Sequence, residues 1–250
     1  MPSINASSAR CRHLPLPPAP PHGNKQIMDK KIILGISGLL VALTTMAWLL
    51  PEKAGNGGDT LPWRISHPTP DTTHVLGVTL GTSTLVDAEQ VYQEPSVVSL
   101  FKSTDGKMVV EAFFEEVKLN GLKAKIVMTI AVPAQDLQGM FERGLRMNAT
   151  ASGKRITLNT DDLATVRSKP ISSLSYMPSV RLEEAVLSKR FGTPAERIRE
   201  NKSGAVHWLY PQHGLDVALG GDEKPVLQYL SPRDFELLRA PLLAQGEVLK

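Results

Sequence analysis

Cysteine is nearly missing from this chain of 250 residues: Cys11 is the only one. A single thiol makes neither an intramolecular disulfide nor a cysteine-rich metal site. Aromatic side chains are scarce as well, at 5%. Excess charge of one sign is small, since 28 Lys and Arg against 25 Asp and Glu leave +3, too little to point to nucleic acid. Long hydrophobic runs are limited to one, which excludes a polytopic membrane protein. The sequence has no P-loop, no G-x-G-x-x-G and no G-x-S-x-G, so the common nucleotide and hydrolase signatures are excluded. A hydrophobic content of 42% excludes a wholly disordered or collagen-like chain.

What is present begins with the uncharged run Ile32 to Leu50, IILGISGLLVALTTMAWLL. As a helix it would span ~28 Å, close to the hydrocarbon thickness of a bilayer. A signal peptide has a hydrophobic region of ~7–15 residues and a small-residue cleavage site. Here the run ends in Trp48-Leu49-Leu50-Pro51, which favours an uncleaved anchor in the lipid bilayer. Lys30 and Lys31 precede it, with Lys25, Arg12 and Arg10 upstream, and only Lys53 follows closely. The positive-inside rule then keeps the N-terminus in the cytoplasm and sends the remainder across the inner membrane into the periplasm. Gly38 and Ala42 form a small-xxx-small pair that offers a homodimer contact.

The flanks divide the chain. Residues 1–31 read as a disordered cytoplasmic tail, rich in Pro, Ser and Ala; Met28 is an alternative translation start. Residues 51–73 are dense in Gly, Pro and polar residues and read as a linker. Beyond them the pattern predicts an α+β fold of two tandem helix/antiparallel-meander units, residues 74–147 and 170–250, joined by a connector at 148–169. Asp105-Gly106 and Asn120-Gly121 are strong hairpin turns. Thr84 and Asp87 suggest a capped helix start, and Pro133 opens a helix containing Leu137, Met140 and Phe141. In the second unit a helix is expected over 180–191, with Leu182, Ala185 and Val186 on one face. Tyr92 and Phe191, Pro95 and Pro194, Ile130 and Tyr229, and Pro133 and Pro232 each lie ~99 positions apart, the behaviour of an internal repeat.

Alternation from the Asn120-Gly121 turn sets Lys123 against Lys118 and places Phe113, Val117, Ala124, Ile126 and Met128 on one face. Glu115 then falls on that apolar face. It is a buried carboxylate of raised pKa, part of a bulge at Glu115-Glu116, or an edge position open to water.

The second unit, with RLEEAVLSKRFGTPAERI from Arg181 to Ile198 and AVHWLYPQHGLDVAL from Ala205 to Leu219, resembles the helix–FG-x-P–strand–W-x-Y–strand signature of SmpA/OmlA-type (BamE-like) outer-membrane assembly proteins. Its layout is also similar to the repeats of β-lactamase inhibitory proteins. The first unit has Gln93-Glu94-Pro95 where Phe191-Gly192-Thr193-Pro194 stands in the second, and no lipobox cysteine follows an apolar run. More broadly, the chain resembles proteobacterial proteins of the membrane-anchored periplasmic type. The resemblance implies protein binding or envelope assembly without catalysis.

Candidate chemistry is thin. Ser99-Leu100-Phe101-Lys102 matches S-x-x-K but falls in a strand, where Ser99 and Lys102 point to opposite faces. His207, His213 and Asp216 could make a metal site, although His213 suits a turn and His207 a solvated strand face. No cofactor is expected. Val206, Trp208 and Tyr210 share one face of a strand and His207 the other; Trp208, Tyr210 and His207 are therefore candidate protein contacts if that sheet is open, and Trp208 and Tyr210 are core if it is covered. The functional expectation is a non-enzymatic, membrane-anchored periplasmic module that binds an envelope protein. A small-ligand or lipid carrier is the alternative, and an unrecognised hydrolase a more distant one.

Overall fold

The computed structural model describes residues 59–220 and 224–249. The expected tail at 1–31, the expected membrane segment at 32–50 and the start of the expected linker lie outside the described residues. Among the described residues, no helix is long and apolar enough to cross a membrane.

Local chemistry sets the elements in chain order. A hairpin of Thr73–Val75 (β1) and Val78–Leu80 (β2) turns through Leu76 and Gly77, both at positive φ. Helix α1, Leu85–Tyr92, opens with a capping box: the Asp87 amide donates to the Thr84 hydroxyl, and the Thr84 amide donates to the Asp87 carboxylate. Strands Val97–Ser103 (β3), Met108–Leu119 (β4) and Leu122–Ile130 (β5) follow. The last turn holds Asn120 and Gly121 at φ of 50° and 79°, as a two-residue hairpin requires. Then come Ala134–Glu142 (α2), Arg146–Thr150 (β6), Gly153–Thr157 (β7), Thr160–Arg167 (α3) and Ile171–Pro178 (β8). The chain continues with Glu184–Phe191 (α4), Glu196–Glu200 (β9), Val206–Tyr210 (β10), Leu215–Leu219 (β11) and Val226–Tyr229 (β12). It closes with Glu236–Gln245 (α5) and Gly246–Leu249 (β13).

Eleven strands form one antiparallel sheet in the order β13-β9-β10-β11-β12-β8-β5-β4-β3-β7-β6. This overturns the expected architecture of two tandem helix/meander units; the membrane helix expected ahead of them falls outside the described residues. Strand β8 pairs with β5 from Ala124↔Pro178 to Ile130↔Ile171 and with β12 from Leu227↔Tyr176 to Tyr229↔Leu174. Two separate meanders would leave bare backbone edges at β5 and β12, and the shared strand satisfies both. The expected connector at 148–169 is also sheet and helix: β6, β7 and α3 extend the β3 side. Residues 59–73 are no free linker, because Trp63 and Ile65 pack on the core, and the Tyr229 hydroxyl donates to the Pro62 carbonyl at 2.7 Å.

One apolar core lies on the first face of the sheet. Leu100, Val110, Ile126, Met128, Leu174, Tyr176, Val217 and Leu227 are buried there with Leu85 and Ala88 of α1, Val166 of α3 and Leu187 of α4. Burying each large aliphatic side chain contributes about 1.5–3 kcal/mol. The buried face of α4 is Leu187 and Phe191, whereas Ala185 and Val186 are exposed. The helix begins at Glu184, so Leu182 meets the core from the segment before it, and Leu187 and Phe191, four residues apart, carry the buried face of the helix. In β4 the alternation of buried and part-exposed residues breaks between Phe114 and Val117, where Glu115 and Glu116 oppose Lys125 alone. That is a bulge, and it sends both carboxylates into water, Glu115 to Lys125 at 2.6 Å and Glu116 to Lys123 at 3.0 Å.

Candidate functional site

Strand alternation assigns every second residue to the other face of the sheet. From β11 to β3 that second face carries Ala218, Val226, Gln228, Ser175, Met177, Val127, Thr129, Glu111, Phe113 and Phe101. All are part-exposed, and none of the apolar ones belongs to either core cluster. Helix α5 covers only the far end. Its approach, Phe235, together with Leu238 and Leu242, packs on Ile198 of β9 and Leu209 of β10. Arg239 fastens the helix by donating to both carboxylate oxygens of Glu196 at 2.8–3.1 Å.

At the end of the sheet nearest the Asp105-Gly106 turn, the second face deepens into a cleft of about 650 Å³. Phe101, Val109, Glu111, Thr129 and Ser173 line it from the sheet, and Leu230 and Leu237 from the other side. Leu237, the second residue of α5, is 74% exposed. Glu111 has no hydrogen-bond or ion-pair partner among the described residues, and burial raises its pKa from the ordinary glutamate value. A cleft of this size and mixed lining is within the range of small-ligand sites.

Beside the end covered by α5, the same face holds a buried histidine–aspartate pair. His207 Nδ1 lies 2.8 Å from Asp216 Oδ2. Asp216 is only 1% exposed, and its Oδ1 has no hydrogen-bond partner. Burial works against the charged imidazole, yet the hydrogen bond to Asp216, that carboxylate's charge and the charge of Glu200 outweigh it and raise the His207 pKa. Burial also pushes the Asp216 carboxyl up, against the pull of His207. No hydroxyl or thiol hydrogen-bonds His207 among the described residues, so the pair has no nucleophile within reach to activate.

The other sequence candidates separate. His213 stands apart from His207, against the Tyr210 ring, with its pKa lowered by burial and by the charge of His67. No group of three or more metal-ligating side chains occurs among the described residues. Trp208 is 3% exposed and Tyr210 fully buried, so both are core and neither is an open contact. Helix α4 covers their face: the Phe191 ring lies 5.8 Å from that of Tyr210, whose hydroxyl donates to the Gly192 carbonyl at 3.1 Å. Ser99 lies on the second face, while Lys102 on the first has its ammonium 4.3 Å above the Phe141 ring. The uncovered face escaped the sequence argument; its signal was the run of Ser172, Ser173 and Ser175 alternating with buried Leu174 and Tyr176.

Comparison with protein-family models, curated proteins and solved structures finds no match.

Proposed function

We propose that this chain is a non-catalytic, membrane-anchored periplasmic module that binds another envelope protein through the uncovered second face of its sheet. The observation that supports this reading is the set of apolar side chains on that face, Phe101, Phe113, Val127 and Met177, left outside both core clusters amid serine and threonine. Mixed apolar and hydroxyl surfaces of this kind suit a protein contact that forms and dissociates. The uncharged run at 32–50 and its basic upstream flank support the anchor and its orientation. The resemblance of residues 181–219 to SmpA/OmlA-type proteins points the same way.

A photo-cross-linking amino acid at Val127 or Phe113 of the full chain in cells is expected to give one discrete protein adduct. The same probe at Val186, exposed on α4, should give none. Adducts from neither face position, or equal adducts from all three, overturn the proposal. The cleft of about 650 Å³ favours a second reading, a small-ligand or lipid carrier. A stoichiometric small-molecule mass retained by the native protein would support that reading instead.

A further inference from the structure

Strand β6 ends the sheet on the side away from β13, and among the described residues no strand pairs with its outer edge. Two large apolar side chains stand exposed there, Leu145 at 70% and Met147 at 48%. The charges around them have one sign. Lys102 of β3 is directly opposite Lys154 of β7, Arg155 is opposite Asn148 of β6, and Arg146 precedes Met147. None of these four cations forms an ion pair among the described residues. Of the acids in this region, Asp105 accepts from the Ser103 hydroxyl and the Lys107 amide, and Asp162 accepts from Arg143 at 2.7 Å, whereas Glu111, which lines the same cleft as Lys102 and Lys154, pairs with none of the four cations. Like charges facing each other across a strand pair destabilise it, so an uncompensated Lys102–Lys154 pair costs stability.

The opposite edge is built differently. In β13, Glu247 stands opposite Arg199 of β9, and the charges balance. An edge protected only against aggregation needs charge on the edge strand itself. Here one sign spreads over three strands and flanks exposed leucine and methionine.

We propose that the β6 edge receives an extended acidic segment of a partner protein, which adds as a further antiparallel or parallel strand. Backbone hydrogen bonds along β6 supply affinity, and Arg146, Lys154 and Arg155 select for carboxylates. This site is separate from the second face and stands without it. An anionic bilayer shares the charge but offers no backbone amides and carbonyls to pair with the β6 edge.

Hydrogen exchange of the β6 amides in the full chain, held in nonionic detergent micelles, tests the proposal with three probes: a short peptide alternating Glu and Val, its Lys–Val counterpart, and micelles doped with phosphatidylglycerol. The Glu–Val peptide is expected to slow exchange at residues 146–150, and the Lys–Val peptide to leave it unchanged. The double variant K154E/R155E should weaken Glu–Val binding about tenfold or more at low salt, while its circular dichroism stays native. Equal protection by both peptides, protection by neither, protection by phosphatidylglycerol alone, or undiminished binding to the variant would each overturn it.

Discussion

Ile126 of β5 and Tyr176 of β8 face one another across the strand pair that joins the two halves of the chain, and both are buried. Core residues on either side of that pair belong to one cluster, from Leu100 and Val110 to Val217 and Leu227. Neither half can open without exposing apolar surface of the other.

Residues 59–249 are therefore expected to unfold in a single transition. Tyr176→Ala should cost about 3–5 kcal/mol and lower the protection of β4–β5 and of β10–β12 together. Hydrogen exchange followed through denaturant checks this; two transitions at separate midpoints would contradict the shared core.

The His207–Asp216 pair makes stability depend on pH. Both groups have raised pKa values in the fold, so the folded chain binds protons more tightly than the unfolded chain. The contribution of His207 is complete below its ordinary value of 6.5 and is lost as pH rises through the higher folded value. Asp216, raised from 3.8, acts in the same direction from a lower starting pH. Melting temperature should fall as pH rises past 6.5, and His207→Gln, which keeps a donor toward Asp216, should flatten that slope. Thermal melts of both proteins from about pH 5 to about pH 9 decide it.

Gly214 is at φ of 58°, and a Cβ placed there would collide with the backbone carbonyl of Leu230. The Leu230 amide donates to the Gly214 carbonyl at 2.8 Å, so the contact holds the β11 turn against the end of β12. Gly214→Ala is expected to destabilise by more than about 2 kcal/mol, beyond the ordinary cost of a left-handed residue. Urea unfolding measures the loss.

The capping box of α1 is the counterpart of small scale. Thr84→Ala removes the hydroxyl that accepts from the Asp87 amide and should cost about 1 kcal/mol. Thr84→Ser, which retains the oxygen, should recover most of it in the same urea titration.

Local features were legible in the sequence because they are written in adjacent residues. The Asn120-Gly121 turn and the Thr84–Asp87 cap are of this kind. The bulge at Glu115-Glu116 was one of three options, and it holds because strict alternation would carry the Glu115 carboxylate into the apolar core without a partner. Strand neighbours were less accessible. Nothing near Ile171 says that β8 pairs with β5, since that choice is made by residues some forty positions away. The same limit governs Trp208 and Tyr210: alternation put them on one face, but only the placement of α4 covers it. His207 and Asp216 were noticed as neighbours of His213, and the fold brings together the first two alone.

The segment ahead of β1 is riveted to the far part of the chain. Tyr229 holds the Pro62 carbonyl, and the Thr73 hydroxyl donates to the Leu230 carbonyl at 2.7 Å. Traction applied on the amino-terminal side must break the Tyr229 clasp on Pro62 before it reaches β1, whose first residue, Thr73, carries the second clasp. The load passes into the middle of the sheet and skips its margins, so a pull at that point moves the whole sheet before it peels any strand.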